Sequence, residues 1–144
     1  KLPVPRKVQV FGWRLLRGII PLRAILTNRH VGSNGACPIC HHGAEDIKHL
    51  LFQCTHARDL WDRLGLLELV NQSLPVDRSG SIIVAHILSL PDSHLSMHPN
   101  MNFKQDILVG AWYLWWIRRQ ATHSETYPPS WRWPISVLSI VRNF

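Results

Sequence analysis

The sequence predicts an all-α fold, a small helical domain built around a structural zinc knuckle and followed by Trp-rich helices. Three observations predict it. All three cysteines fall within eighteen residues of one another, at the spacing of metal ligands. Apolar residues recur at helical spacing over residues 5–19 and 102–122. The chain has 144 residues, 46% of them hydrophobic and 17% charged, which is enough to bury a core.

The zinc knuckle is predicted from the pattern C-x2-C-x8-H-x4-C between residues 37 and 54. Zinc prefers four tetrahedral ligands drawn from thiolate and imidazole, and a Cys-x2-Cys turn lets two sulfurs converge on one ion. We therefore predict one zinc ion held by four side chains, those of Cys37, Cys40, His49 and Cys54. Four protein ligands leave no open position for water or substrate, so the predicted site is structural (a CCHC knuckle).

Other interpretations of these residues stay open. The cysteines could be small buried hydrophobes, although scattered core cysteines would not be expected at ligand spacing beside a suitable histidine. His41 and His42 could replace His49, but they lie too close to Cys40 for easy closure of a chelate ring. His56 is only two residues from Cys54. His49 is therefore the favoured fourth ligand.

The first predicted helix spans residues 5–19, with Pro5 at its start and Gly18 and Pro21 marking its end. One face is apolar, and another arc carries four cations with an indole at its edge: Arg6, Lys7, Arg14 and Arg17, with Trp13. Such a face can track phosphates while the ring stacks on a base. It can equally be a solvated basic face whose indole half-covers the core.

The next elements flank the knuckle. A second short helix is predicted from Pro21 to about Arg29 with Arg23 outward, followed by a loop at 32–35. Asp46 can cap a short helix over residues 47–52 that carries His49. A helix from Thr55 to about Leu67 would bury Trp61.

The rest of the chain is predicted as a loop at 68–80, a short helix at 81–90, a polar segment at 94–102 and two further helices. The helix over residues 102–122 carries three tryptophans that we expect in the core: Trp112, Trp115 and Trp116. The last helix reaches Arg142, and the preceding Trp131 and Trp133 either fix the tail to the body or face a partner.

Charge is distributed unevenly along the chain. The net charge is +7, and residues 1–44 hold seven Lys or Arg and no acid, whereas residues 45–144 hold nine of each. Because the excess lies ahead of the zinc motif, this asymmetry indicates a polyanionic partner, most often nucleic acid.

Several function classes are not expected. No nucleophile pattern, phosphate loop or polymerase carboxylate pair is present, so we do not expect an enzyme or a small-molecule substrate. The longest apolar run, residues 107–117, is too short for a bilayer, so no membrane partner is expected.

Cysteines at zinc spacing favour a reducing compartment, nucleus or cytoplasm. The first residue is Lys1, which suggests a piece of a longer polypeptide.

Several separated segments resemble a known family: residues 4–24, the Cys-Pro-Ile-Cys turn at 37–40, Glu-Asp-Ile-Lys-His-Leu-Leu-Phe-Gln-Cys at 45–54 and Ala-Arg-Asp-Leu-Trp at 57–61. Together they are similar to the reverse-transcriptase zinc-binding domain, which follows the polymerase in plant non-LTR (LINE-type) retrotransposons and in genes derived from them. Residues 111–119 resemble the Trp-rich helix that often follows it. The resemblance covers about residues 1–65 and implies the same four zinc ligands.

We therefore expect a zinc-binding module at 1–67 with a helical extension at 68–144 packed on it. The leading hypothesis is a non-catalytic module that binds RNA or DNA through its basic N-terminal helices, with Arg6, Lys7, Arg14, Arg17 and Arg23 on phosphate and Trp13 on a base. The alternative is a transposon-derived protein-interaction module in a host gene, with Trp131 and Trp133 facing the partner. A purely structural spacer is a third possibility.

Overall fold

The computed structural model describes residues 2–20, 37–41, 46–73, 81–91, 103–123 and 125–144. Every regular element in these ranges is helical, which confirms the all-α fold. The elements are α1 (Arg6–Leu16), a π-helical turn (His49–Gln53), α2 (Thr55–Arg63), α3 (Leu67–Ser73), α4 (Ser81–Ser89), α5 (Phe103–Thr122), a 3-10 turn (Ser130–Arg132) and α6 (Trp133–Arg142).

Helix α1 begins after Pro5 and ends three residues earlier than predicted, at Leu16. Its end is a Schellman motif: Gly18 has φ 70°, and the Ile19 N–H donates to the Arg14 carbonyl at 3.1 Å. Val8, Phe11 and Leu15 are buried on the inner face, as the periodicity predicts.

The predicted helix from residue 55 to 67 is two helices in the structure. Gly65 has φ 76°, and the Leu66 N–H donates to the Trp61 carbonyl at 2.8 Å, so a second Schellman motif ends α2 after Arg63. Helix α3 follows at once, and the predicted loop at 68–80 is therefore wrong for residues 68–73. Leu66, Leu69 and Val70 are buried, and their burial stabilises this short helix.

Helix α5 is the central element, in contact with α1, α4, α6 and the π-helical turn. It confirms the predicted helix at 102–122, and residues on almost all of its sides are buried. Trp112, Trp115 and Trp116 pack against the core while staying partly exposed, so the expectation that they lie in the core holds only in part. Because α5 contacts both α1 and the π-helical turn, it fixes the basic helix relative to the zinc knuckle.

The two tryptophans near the C-terminus have different environments. Trp133 is buried, its indole N–H donates to the Pro128 carbonyl at 2.8 Å, and its ring packs beside His56 and Tyr113. Trp131 is 58% exposed. Trp133 thus holds the last helix on the body of the domain, and Trp131 faces outward.

A single hydrophobic cluster joins α1, the knuckle, α2 through α6 and the π-helical turn. The residues of this cluster come from both sides of position 67. The division into a module at 1–67 and an extension at 68–144 stays a prediction. The predicted helix from Pro21 to Arg29, the loop at 32–35 and the polar segment at 94–102 lie outside the described residues. Within the described ranges no helix has both the length and the apolar character that a bilayer crossing requires.

Candidate metal centre

Four side chains converge in the structure: Cys37, Cys40, His49 and Cys54, the four that the spacing predicts. Their ligand atoms all lie within 4.8 Å of one another. Cys37 and Cys54 are buried, and Cys40 and His49 are partly buried. The cluster is therefore placed at the edge of the core, where three of its neighbours along the chain, Leu50, Leu51 and Phe52, are buried.

The first two ligands come from a tight turn. The His41 N–H donates to the Cys37 carbonyl at 2.9 Å, and His41 has φ 64°. A left-handed conformation at a residue with a Cβ costs about 1–2 kcal/mol, so the surroundings must hold this turn in place. Ile39 is buried within the turn and anchors it. The His41 side chain is exposed and outside the ligand cluster.

The other two ligands lie at the ends of the π-helical turn, with His49 as its first residue and Cys54 directly after its last. The carboxylate Oδ1 of Asp46 accepts a hydrogen bond from the His49 N–H at 2.7 Å, which is the predicted cap. The Cys54 N–H then donates to the His49 carbonyl at 2.7 Å, a bond over five residues instead of four. In a regular α-helix residues five apart are separated by about 140° around the axis. The wider turn thus allows His49 and Cys54 to reach the same site.

Helix α2 supports this turn from behind. The indole N–H of Trp61 donates to the Leu51 carbonyl at 2.6 Å, and its ring stacks on Phe52 with centroids 6.3 Å apart. Trp61 is fully buried, as predicted. The sequence indicates its burial, but nothing in the spacing indicates the hydrogen bond to Leu51.

The donor set fits zinc. Zn–S bonds of about 2.3 Å and Zn–N bonds of about 2.0–2.1 Å place tetrahedral ligand atoms about 3.4–3.8 Å apart. The Cys40 Sγ and His49 Nε2 are 3.3 Å apart, close to that spacing. Three thiols and one imidazole are a common structural zinc set.

The sulfurs of Cys37 and Cys54 also interact directly. Hydrogen bonding from the Cys54 thiol lowers the pKa of Cys37 to about 4, and the same shared proton raises the pKa of Cys54. Two buried sulfurs that share one proton form a site that a divalent cation can occupy by displacing it.

His56 is not part of the cluster. Its ring packs on Trp133 with centroids 5.8 Å apart, and its Nδ1 atom is buried without a hydrogen-bond partner among the described residues. His42 lies outside the described residues. Of the candidate histidines that the structure describes, His49 alone meets the three cysteines.

The predicted nucleic-acid residues of α1 are all exposed: Arg6, Lys7, Trp13, Arg14 and Arg17. Arg23 lies outside the described residues. Lys7 Nζ lies 4.7 Å from the centroid of Trp112, and the Arg17 guanidinium lies 4.5 Å from that of Trp13. Across the described ranges no ion pair with a carboxylate is formed by the four cations of α1, which are Arg6, Lys7, Arg14 and Arg17.

Two clefts border the exposed side of α1. One has a volume of about 440 Å³, is largely apolar, and has Arg6 and Trp13 in its lining. The other has a volume of about 520 Å³ and includes Lys7 and Arg14 with Arg119 of α5. Sequence reasoning missed Arg119 as a neighbour of the basic helix, because nothing in the pattern indicates how α5 crosses α1.

The chain matches no curated protein and no solved structure. Residues 1–61 match the model of a family described as zinc-binding in reverse transcriptase. That range contains the basic helix α1, all four converging side chains and Trp61. Over residues 1–61 the chain is therefore similar to that family, and the matched part holds the whole candidate zinc site.

Proposed function

We propose that the chain is a non-catalytic module that binds RNA or DNA through the basic face of α1, with one structural zinc ion in the Cys37, Cys40, His49 and Cys54 site. Its source would be a plant LINE-type retrotransposon, or a host gene derived from one. It would act in the nucleus or cytoplasm, where thiols stay reduced.

The observation that carries the proposal is the exposed cationic face of α1. Lys7, Arg14 and Arg17 are exposed, and no acid occurs in residues 1–44. Phosphate contacts supply most of the sequence-independent affinity for nucleic acid, and cations on one helix face suit them. Trp13 is 54% exposed, with its ring beside the Arg17 guanidinium, and can contribute stacking.

The zinc site supports this face indirectly. Zinc with four protein ligands has no position for substrate, so its contribution is to folding. The π-helical turn that carries His49 packs on α5, and α5 packs on α1. Metal binding would thus stabilise the π-helical turn and, through α5, the position of the basic helix α1.

The test is a salt titration of binding to single-stranded RNA and to duplex DNA. The charge-reversed variant is Arg14→Glu with Arg17→Glu, and the matched control is Arg132→Glu with Arg142→Glu, two exposed arginines near the C-terminus. We expect log affinity to fall linearly with log salt, with a slope that decreases by about 0.7–0.9 for each phosphate that the variant no longer neutralises. Absence of binding, or equal effects of the two double variants, contradicts the proposal.

A second function is favoured by a different surface. Trp131, Ile135 and Phe144 are large apolar side chains that are exposed near the C-terminus. Exposed apolar groups of this kind are typical of protein-interaction surfaces, as in a domesticated transposon-derived module. This function predicts no salt-dependent nucleic-acid binding, so the same titration distinguishes the two.

A further inference from the structure

We propose that the 520 Å³ cleft between α1 and α5 binds one nucleotide of a single-stranded nucleic acid, with its phosphate held by Lys7, Arg14 and Arg119. This inference rests on the proposed function and deepens it in two ways. It names single strands as the preferred partner. It also makes the helical extension part of the binding surface, because Arg119 lies well beyond the family match at 1–61.

The cations of the cleft come from two helices. Lys7 and Arg14 are seven residues apart on α1, about 10 Å along the axis, and Arg119 comes from the second half of α5. Among the described residues no acidic side chain lines the cleft. Like charges held around a concave, low-dielectric surface focus the local potential, so the cleft attracts an anion more strongly than an isolated cation on a convex helix does.

The walls of the cleft are apolar and aromatic. Val10, Phe11, Trp112 and Trp115 line it together with the three cations. Phe11 stacks on Trp115 with centroids 6.4 Å apart, so the Trp115 ring is already packed against a neighbour. Trp112 is partly exposed, and Lys7 Nζ is the cation over its ring. When Lys7 turns toward a bound phosphate, the Trp112 face becomes available to a base.

This combination favours an unpaired nucleotide. The three cations attract a negatively charged phosphodiester, and the aromatic wall matches the flat apolar face of a base. The volume lies within the range of about 300–1,000 Å³ that is usual for small-ligand clefts. A base in a duplex is stacked and paired, so a duplex can reach only the rim. An acidic peptide carries the charge without the base and would leave Trp112 unused.

The experiment measures binding of fluorescent single-stranded RNA, single-stranded DNA and a duplex of equal length to the full chain and its variants. Arg119→Glu should weaken single-strand binding on the order of tenfold, about as much as Arg14→Glu, because each reverses one phosphate-binding charge. Arg119→Lys should retain most of the affinity. Trp112→Leu should weaken single-strand binding more than duplex binding, because only an unpaired base can stack there.

Arg142→Glu is the matched control, with the same charge change at an exposed site outside the cleft. Each variant is first shown to unfold cooperatively at the wild-type temperature. If Arg119→Glu behaves like Arg142→Glu while Arg14→Glu still weakens binding, the proposed nucleotide site in the cleft is wrong. The proposed function then remains. If Arg14→Glu has no effect either, the proposed function itself fails.

Two further outcomes would overturn the single-strand assignment. The first is an equal loss of single-strand and duplex binding in Trp112→Leu. The second is competition by an oligoglutamate as effective as that by an oligonucleotide of the same charge, because the cleft would then respond to charge alone.

Discussion

The indole nitrogen of Trp61 lies 2.6 Å from the carbonyl oxygen of Leu51, so α2 is hydrogen-bonded to the middle of the π-helical turn that carries His49. The same indole approaches Gly110 of α5 from its other end. The buried side chain of Trp61 therefore connects the π-helical turn to the central helix α5. Stability of the zinc knuckle and packing of the helical extension should be coupled through it.

Trp61→Phe tests this hydrogen bond. Phenylalanine can still stack on Phe52, but the Leu51 carbonyl loses its indole donor, and a buried polar group without its partner costs about 1–3 kcal/mol. We expect a loss of that size in the free energy of unfolding in urea, together with weaker zinc retention. Trp131→Phe, at an exposed site, should change stability by less than about 0.5 kcal/mol. Equal effects of the two substitutions would argue against the coupling.

Gly110→Ala tests the contact between α5 and Trp61. A Cβ at position 110 would lie 2.7 Å from two carbons of the rigid Trp61 ring. Overpacking should therefore destabilise the domain by about 1–3 kcal/mol, despite the better helix propensity of alanine.

Gly12→Ala is the matched comparison, because its Cβ would meet the Leu108 side chain at 3.1 Å, and a leucine can rotate away. Thermal denaturation should show a much smaller change for this variant. A melting temperature for Gly110→Ala at or above the wild-type value would contradict the packing described at Trp61.

Asp46→Ala removes the cap of the metal-bearing turn. The Asp46 carboxylate accepts a hydrogen bond from the His49 N–H at 2.7 Å, and loss of such a cap typically costs about 1 kcal/mol. We expect weaker zinc binding in a competition with a chromophoric chelator, and near-normal binding for Asp46→Asn, which can still cap. Asp62→Ala, an exposed acid on α2, controls for the change in charge. A zinc affinity for Asp46→Ala equal to that of this control would show that the cap does not position His49.

Metal removal should unfold the knuckle. Because zinc stabilises only the state in which its four ligands converge, a strong chelator should abolish cooperative thermal unfolding, and added zinc should restore it. Cys54→Ala should behave like the chelated protein and should not respond to zinc. A chelated wild-type chain that keeps its full melting transition would show that the core folds without the metal.

The sequence predicted most of the elements whose signals are local. The zinc pattern predicts the four residues that converge in the structure because ligand spacing is a property of a few neighbouring positions. Helices α1 and α5 are predicted correctly because a long amphipathic or apolar segment identifies a helix even where its ends are misplaced. The cap at Asp46 followed from the preference of a carboxylate for a helix N-terminus.

The errors have physical reasons of their own. Helix α3 was predicted as a loop because Asn71 and Ser73 are poor helix formers, but burial of Leu69 and Val70 outweighs their low propensity. Ser73 is tolerated because its hydroxyl donates to the Leu69 carbonyl. The predicted helix from 55 to 67 runs through Gly65, although a glycine with an apolar residue after it is typical of a Schellman ending. Arg119 joined the basic surface only through the crossing of α5 and α1, a long-range relationship.

The π-helical turn also makes the length of one short segment critical. The bond from the Cys54 N–H to the His49 carbonyl spans one residue more than a regular helical bond, and that extra residue brings the last sulfur to the site. Without that wider bond, a regular α-helix of the same length would separate the two ligands by about 140° around its axis. Exposed Gln53 can therefore vary in identity, whereas an insertion that let a regular helix form would place the two ligands about 120° apart, on different faces.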